Sequence, residues 1–358
     1  MFLPPRPIIS NPLSQSNVYA CKEGLQVDKD KDVWYNLLGD VMENDNNNDN
    51  HVESFYNYID TVATHVEKNT ESTYLEGMNE ALSFLLDHEM QTPLDMETED
   101  AVSDAKRAIS DVTFSKEEVR KGIQLALLKG LKTLSVTNAM MTPDSIGMFI
   151  AYLLKKLFGD EEKLSVFDPL SGTGNLLATL DNHYEGALSF TAVESDPVLA
   201  RLNENMLDAL DCDQKTINQD TFAFYSDPFD LVVTDFPIES VDRKDTYFPY
   251  QVILHHLQHV KPGGYFITLI ENNFFDQNES AGFKSRLLEE AHLYGLIKLD
   301  ESLFTNHPKS ILILQKKTDK NDTMEQFLLV DLPSFNDENA MGRSIQKIEQ
   351  WFKNRKVD

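Results

Sequence analysis

From Gly159 onward the chain alternates short apolar runs with amphipathic ones, and this restricts the fold more than any other feature of its 358 residues. The runs LSVFDPL, SFTAVES, KTINQD, FDLVVTDFP, GGYFITLIEN, YGLIKLD and SILILQKK read as strands. Stretches such as PVLARLNENMLDAL, YQVILHHLQHV and FKSRLLEEAHL lie between them and read as helices. Strand and helix in turn predict an α/β, doubly wound, mostly parallel sheet with helices on both faces. SILILQKK and FLLVDLP follow each other without room for a crossover helix, so at least one closing strand is expected to be antiparallel.

Before the sheet the period changes. Phe55, Ile59, Val62 and Val66, then Tyr74, Leu75, Met78 and Leu82, recur at three and four residues, which predicts helices from His51 to about Ser110. Ser115 with Glu118 forms a capping box that opens a further helix. That helix is read as packed with a solvated charged face; phosphate contacts from Arg120, Lys121, Lys129 and Lys132 are the alternative. In MMTPDSIGMF, Thr142 is expected as N-cap and Pro143 at the first helical position. The expected organisation is an irregular segment over 1–50, a helical domain over 51–134, the sheet over 135–335 and a C-terminal helix over 336–358. Ile345, Ile348, Trp351 and Phe352 give that last helix an apolar docking face.

VFDPLSGTGNLLATL lies at the first strand-to-helix turn, where the backbone of an open parallel sheet comes closest to its ligand. Gly172 and Gly174 permit that approach. Leu177 stands where a dinucleotide fingerprint needs a third glycine, which disfavours a dehydrogenase. Asp168 would repel a pyrophosphate and attract an ammonium or sulfonium group. Glu194, at the end of the second strand, can accept both hydroxyl protons of a ribose, and Asp220, after the third, can bond an adenine amino group. An adenosine at one end and a cationic amino-acid group at the other describe S-adenosylmethionine.

These residues resemble the class I S-adenosylmethionine-dependent methyltransferases, and within them the N6-adenine DNA methyltransferases with an N-terminal helical domain, above all an uncharacterised bacterial group. The resemblance spans about residues 70–330 and implies a seven-stranded, Rossmann-like sheet behind helices. DPLSGTGN is similar to the family's cofactor loop, which carries binding roles to Asp168, Pro169, Gly172, Thr173, Gly174 and Asn175. It carries the ribose role to Glu194 with Ser195, the adenine role to Asp220 with Thr221, and the methionine end to Thr142 and Pro143. TDFP resembles the catalytic motif, so Asp235, Phe236 and Pro237 would do the chemistry, with Asp235 also bordering the cofactor. LFTNHPKSILILQKK is similar to the closing hairpin. DNA is the implied partner.

An exocyclic amine has its lone pair delocalised into the ring, so its enzyme must supply hydrogen-bond acceptors rather than a strong base. Asp235 and the Phe236 carbonyl are the candidates. The family motif has two prolines and then an aromatic that stacks on the base; this chain has Phe236, Pro237 and Ile238. Phe236, Tyr247, Phe248 or Tyr250 could replace the aromatic, although core packing is the expected fate of at least some of them. The alternatives are a binding module that has lost transfer, and a methyltransferase of RNA, protein or a small amine.

The net charge of −27 argues against a surface that is basic throughout, and leaves room only for a local basic cleft, with Arg120, Lys121, Arg243 and Lys244 as candidates. Cys21 and Cys212 match no metal or redox spacing. His255, His256 and His259 lack a Glu or Cys partner at metal-ligand spacing and read as solvated or half-buried, with no metal expected. Prolines break MFLPPRPIISNP, and no run approaches the roughly 20 apolar residues of a membrane helix. A cytoplasmic protein without a membrane role is expected.

Overall fold

The computed structural model describes residues 46–133, 141–159, 163–237, 247–304, 307–319, 322–324 and 326–355. Cys21, Ile238, Arg243, Lys244 and almost all of the 1–50 segment lie outside the described residues. The chain divides into two compact units, Met1–Leu134 and Ser135–Asp358.

The first unit holds helices α1 (Asn46–Asn69), α2 (Tyr74–Leu85), α3 (Met96–Ile109) and α4 (Lys116–Thr133). The apolar residues at helical spacing form its core, with Phe55, Ile59, Val62, Val66, Met78 and Leu82 buried. A Cβ on Gly77 would stand 2.6 Å from the Ala63 carbonyl oxygen, so glycine is what lets α2 lie this close to α1. The predicted capping box opens α4: the Ser115 N–H donates to Glu118 at 2.7 Å, and the Glu118 N–H to Ser115 Oγ at 3.3 Å. On the charged face Arg120 differs from expectation, while Lys121 and Lys129 are part-exposed and Lys132 is exposed. Arg120 is 1% exposed and donates to Glu117 from Nε and Nη2, both at 2.8 Å. A buried guanidinium is tolerated because its carboxylate is satisfied in place, and this arginine is therefore neither solvated nor available to a phosphate. Lys129 pairs with Asp60.

The second unit is built on a sheet of eight strands: β1 (Lys163–Asp168), β2 (Ala187–Glu194), β3 (Asp213–Asn218), β4 (Phe229–Asp235), β5 (Val260–Glu271), β6 (Ala291–Lys298), β7 (Lys309–Lys316) and β8 (Leu328–Asp331). Their order is β3-β2-β1-β4-β5-β7-β6-β8. The first five are parallel, and β7 runs antiparallel between β5 and β6, as the missing crossover predicts. Seven strands fit the expected methyltransferase sheet; the eighth, β8, extends the edge parallel to β6.

The helices α5 (Asp144–Phe158), α6 (Asn175–His183), α7 (Pro197–Ala209), α8 (Phe248–His256), α9 (Ser280–Glu290) and α10 (Glu338–Arg355) complete the unit. Helix α9 ends earlier than its sequence suggests, because His292 already belongs to β6. Met341, Ile345, Ile348 and Phe352 bury one face of α10, and Trp351 stands edge-on to Tyr294. Among the described residues no helix is long and apolar enough to cross a membrane.

Chain order reverses between β1 and β4, which lie side by side. Ligands of such sheets sit at this switch point, outside the carboxyl ends of the strands. Asp168 ends β1, Glu194 ends β2 and Asp235 ends β4, so three of the candidate acids share one edge of the sheet.

Candidate active site

The β1–α6 turn is shaped by its glycines. Gly172 and Gly174 have φ of +53° and +83°, a region that residues with a Cβ adopt only at a cost. A Cβ on Gly174 would press on the Asn203 side chain at 3.0 Å, whereas one on Gly172 would meet nothing within 4 Å. The turn therefore opens onto free space at Gly172. The Gly172 N–H donates to Glu194 Oε2 at 2.9 Å, and the Asp196 N–H to Oε1 at 2.9 Å, fixing that carboxylate at the tip of β2. Ser195, exposed, and Thr173, buried, flank these positions.

Asp168 is 2% exposed and accepts from the Leu170 N–H at 3.0 Å. Burial pushes its carboxyl up to about 7, against the pull of that amide. Among the described residues no cation pairs with it. A buried carboxylate without a counter-charge, beside a turn with open space, fits a ligand bearing an ammonium or sulfonium group.

Asp220 follows β3 and caps a short turn, accepting from the Phe222 N–H at 2.9 Å. The hydroxyl of Thr221 faces inward to His256 Nε2 at 2.8 Å. His256 and His259 are fully buried, not solvated or half-buried as expected from their sequence, and their Nδ1 atoms lie 3.1 Å apart. The ring of Phe167 covers both. Desolvation and the neighbouring histidines push His256 down to about 2 and His259 down to about 4. Among the described residues no group of three His, Cys, Asp or Glu could hold a metal ion.

A polar cluster surrounds Asp235. Thr142 Oγ1 donates to Asp235 Oδ2 at 2.9 Å. This corrects the N-cap assignment: the cap of α5 is Pro143, without a side-chain bond, because the Thr142 hydroxyl is drawn to the carboxylate instead. Asn175 Nδ2 donates to the Thr142 carbonyl at 3.0 Å, linking the start of α6 to the same point. On the other side Lys309, 2% exposed, pairs with Asp235 Oδ1 and donates to the Phe236 carbonyl at 3.2 Å.

Lys309 has no precedent in the sequence reading. It reaches this edge because β7 is antiparallel, so its first residue lies opposite Glu271, the last residue of β5. The signals for it were the antiparallel closing strand expected near SILILQKK and the resemblance of LFTNHPKSILILQKK, which contains Lys309, to a closing hairpin.

Phe236 and Tyr250 are buried in the core, where Tyr250 stacks on Phe283 with centroids 4.0 Å apart. Phe248 packs edge-on to Phe222. Tyr247 alone of the four aromatics considered as replacements is half-buried at a cavity, which it lines with Phe236, Pro237, Pro249, Glu271 and Lys309. That cavity is about 10 Å³, the room of one water. A larger open hollow of about 680 Å³, lined by Phe222, His255, Phe283 and Arg286 among others, holds none of the strand-end acids.

The sheet order, the glycine turn and the acids at the carboxyl ends of β1, β2 and β4 define an S-adenosylmethionine-dependent methyltransferase. The family model for N-6 DNA methylase matches residues 135–358, and that for the YtxK N-terminal helical domain matches residues 53–131. The chain belongs to the N-6 DNA methylase family. It is similar to the uncharacterised protein YtxK of Bacillus subtilis, with 32% identity over 86% of this chain and 99% of that one. A candidate class I S-adenosylmethionine-dependent methyltransferase of known structure from Listeria monocytogenes shares 29% identity at a TM-score of 0.76, covering 85% of this chain and 99% of that one. The modification subunit of a candidate type I restriction enzyme from Vibrio vulnificus, at 18% identity and a TM-score of 0.53 over 71% and 62% of the chains, shares the fold.

Proposed function

We propose that this methyltransferase acts on an exocyclic amine, with N6 of adenine in DNA as the acceptor, and that Asp235 and the Phe236 carbonyl hold that amine. One observation carries the reading: the Asp235 carboxylate and the Phe236 carbonyl converge closely enough for a single nitrogen, Lys309 Nζ, to bond both. An adenine amino group has two N–H donors, and these two acceptors match them.

Asp168, Pro169, Gly172, Thr173, Gly174 and Asn175 receive the amino-acid and sulfonium end of the cofactor, with Thr142 and Pro143 beside it. Glu194 and Ser195 take the ribose, and Asp220 takes the adenine, with Thr221, its hydroxyl turned inward to His256, as support behind it. When bound, S-adenosylmethionine supplies a methyl group made electrophilic by its sulfonium. Asp235 and the Phe236 carbonyl accept both amine protons, drawing the nitrogen lone pair out of the ring and orienting it for in-line attack. The same carboxylate can take the proton that the alkylated nitrogen sheds. Thr142, bonded to Oδ2, fixes the plane of the carboxylate. Tyr247, at the rim with Pro237, is the aromatic best placed to face a base, a contact worth about 1–3 kcal/mol. The expected setting is the cytoplasm.

The test offers labelled S-adenosylmethionine with unmethylated genomic DNA, total RNA and protein extract. Label recovered as N6-methyladenine in DNA is expected. Label confined to RNA or protein would overturn the choice of substrate, and label in no pool would contradict transfer to a macromolecular amine.

A further inference from the structure

The two acceptors assigned to the substrate amine are already bonded to a nitrogen of the chain itself. Lys309 Nζ pairs with Asp235 Oδ1 and donates to the Phe236 carbonyl at 3.2 Å. The lysine is 2% exposed, and the Phe304 ring lies beneath its ammonium at 5.7 Å. The adjoining cavity, about 10 Å³, has room for no more than about one water and is far too small for a purine.

We infer that Lys309 is a plug in the acceptor seat: its ammonium stands where the substrate amine must stand, and an amine enters only as Lys309 withdraws. This rests on the reading of Asp235 and Phe236 as amine acceptors. An ammonium has three N–H donors and no lone pair, so it blocks the seat without being a nucleophile. Withdrawal has a destination. Glu271 lies directly across from Lys309 in the β5–β7 register, on the same face, and lines the same cavity. Its carboxylate now meets His307 Nδ1 at 2.8 Å and could take the ammonium that leaves Asp235. The exchange keeps the Lys309 ammonium beside a carboxylate throughout, while Asp235 receives the N–H donors of the entering amine in place of the ammonium. The plug also selects: a substrate must present two N–H donors, one to Asp235 and one to the Phe236 carbonyl, which disfavours ligands with a single donor.

The test measures equilibrium binding of 9-methyladenine, which lacks the ribose that could place it in the cofactor site, to protein saturated with S-adenosylhomocysteine. Lys309→Ala should bind it at least tenfold tighter than the natural chain, and Lys309→Met, which keeps the stem without a donor, should fall between them. Cofactor affinity, measured in parallel, confirms that each variant is folded. Equal binding by all three, or binding by none, would overturn the plug. A peptide map showing methyl groups on Lys309 would also overturn it, by making the resident nitrogen an acceptor. The double variant Asp235→Ala/Lys309→Ala separates this claim from the one beneath it. If the gain disappears in the double variant, both hold; if it persists there, Lys309 is a plug but Asp235 is not the amine acceptor.

Discussion

Thr142 Oγ1 donates to Asp235 Oδ2 across 93 residues of chain, at 2.9 Å, tying the turn before α5 to the tip of β4. The bond leaves Oδ1 as the oxygen that faces Lys309. A hydrogen bond to a charged group is worth about 1.5–3 kcal/mol. Thr142→Val, which keeps the shape and removes the donor, should therefore lower the rate of transfer roughly ten- to a hundredfold. Cofactor affinity should change much less, and Thr142→Ser should restore most of the rate. The check is kcat for labelled methyl transfer beside equilibrium binding of S-adenosylmethionine.

Gly172 and Gly174 should fail in different ways. Each pays a left-handed backbone penalty of about 1–2 kcal/mol when it gains a Cβ. A methyl on Gly172 meets no protein atom and enters the space open to the ligand, whereas one on Gly174 meets the Asn203 amide at 3.0 Å. Gly172→Ala should keep most of its stability and lose cofactor affinity. Gly174→Ala should lose more stability. Denaturant melts and cofactor titrations on both variants test the contrast.

Asp168 makes cofactor affinity depend on pH. Its carboxyl is raised to about 7, so the free protein binds a proton there below neutrality, while a cationic ligand favours the ionised form. Binding must then release a proton, and affinity should rise with pH up to about 7, by at most tenfold per unit, and level off above it. Asp168→Asn should bind weakly and show no such slope. For stability the direction is opposite: the folded state holds this proton better than the unfolded chain between about 4 and 7, so the contribution of Asp168 falls as pH rises through that window.

The buried histidines act the other way. His256 and His259 are pushed below their unfolded value of 6.5, to about 2 and about 4. Above 6.5 both states are neutral there and no difference arises. Below it the unfolded chain gains protons that the folded core refuses, and each group removes up to about 1.4 kcal/mol per pH unit. The denaturant midpoint should fall more steeply between pH 6.5 and 5 in the natural chain than in His256→Gln, which keeps a polar partner for Thr221. Equal slopes would remove His256 from the account.

What the sequence revealed and what it hid follow from how each residue is placed. Asp168, Glu194 and Asp235 each end a strand, and a strand end is written locally, in an apolar run followed by turn residues. The glycine turn was legible for the same reason. Lys309 was not, because its position depends on β7 inserting antiparallel between β5 and β6, a pairing that no local pattern encodes. Thr142 looked like a helix cap because its sequence suits one; only the approach of Asp235, 93 residues later, redirects its hydroxyl. His255 is half-buried, as expected, whereas His256 and His259 looked solvated or half-buried because the short helix shows no clear apolar stripe, yet the Phe167 ring packs against both. Arg120 looked like a surface cation and is buried on Glu117.

The measurement that bears most directly on the central claim is labelled methyl transfer to unmethylated DNA by the natural chain and by Asp235→Ala, with S-adenosylmethionine binding measured on both. The account predicts N6-methyladenine from the natural chain, none above background from Asp235→Ala, and cofactor binding by both proteins. Transfer retained by Asp235→Ala would contradict it, because the amine would then be held by other groups.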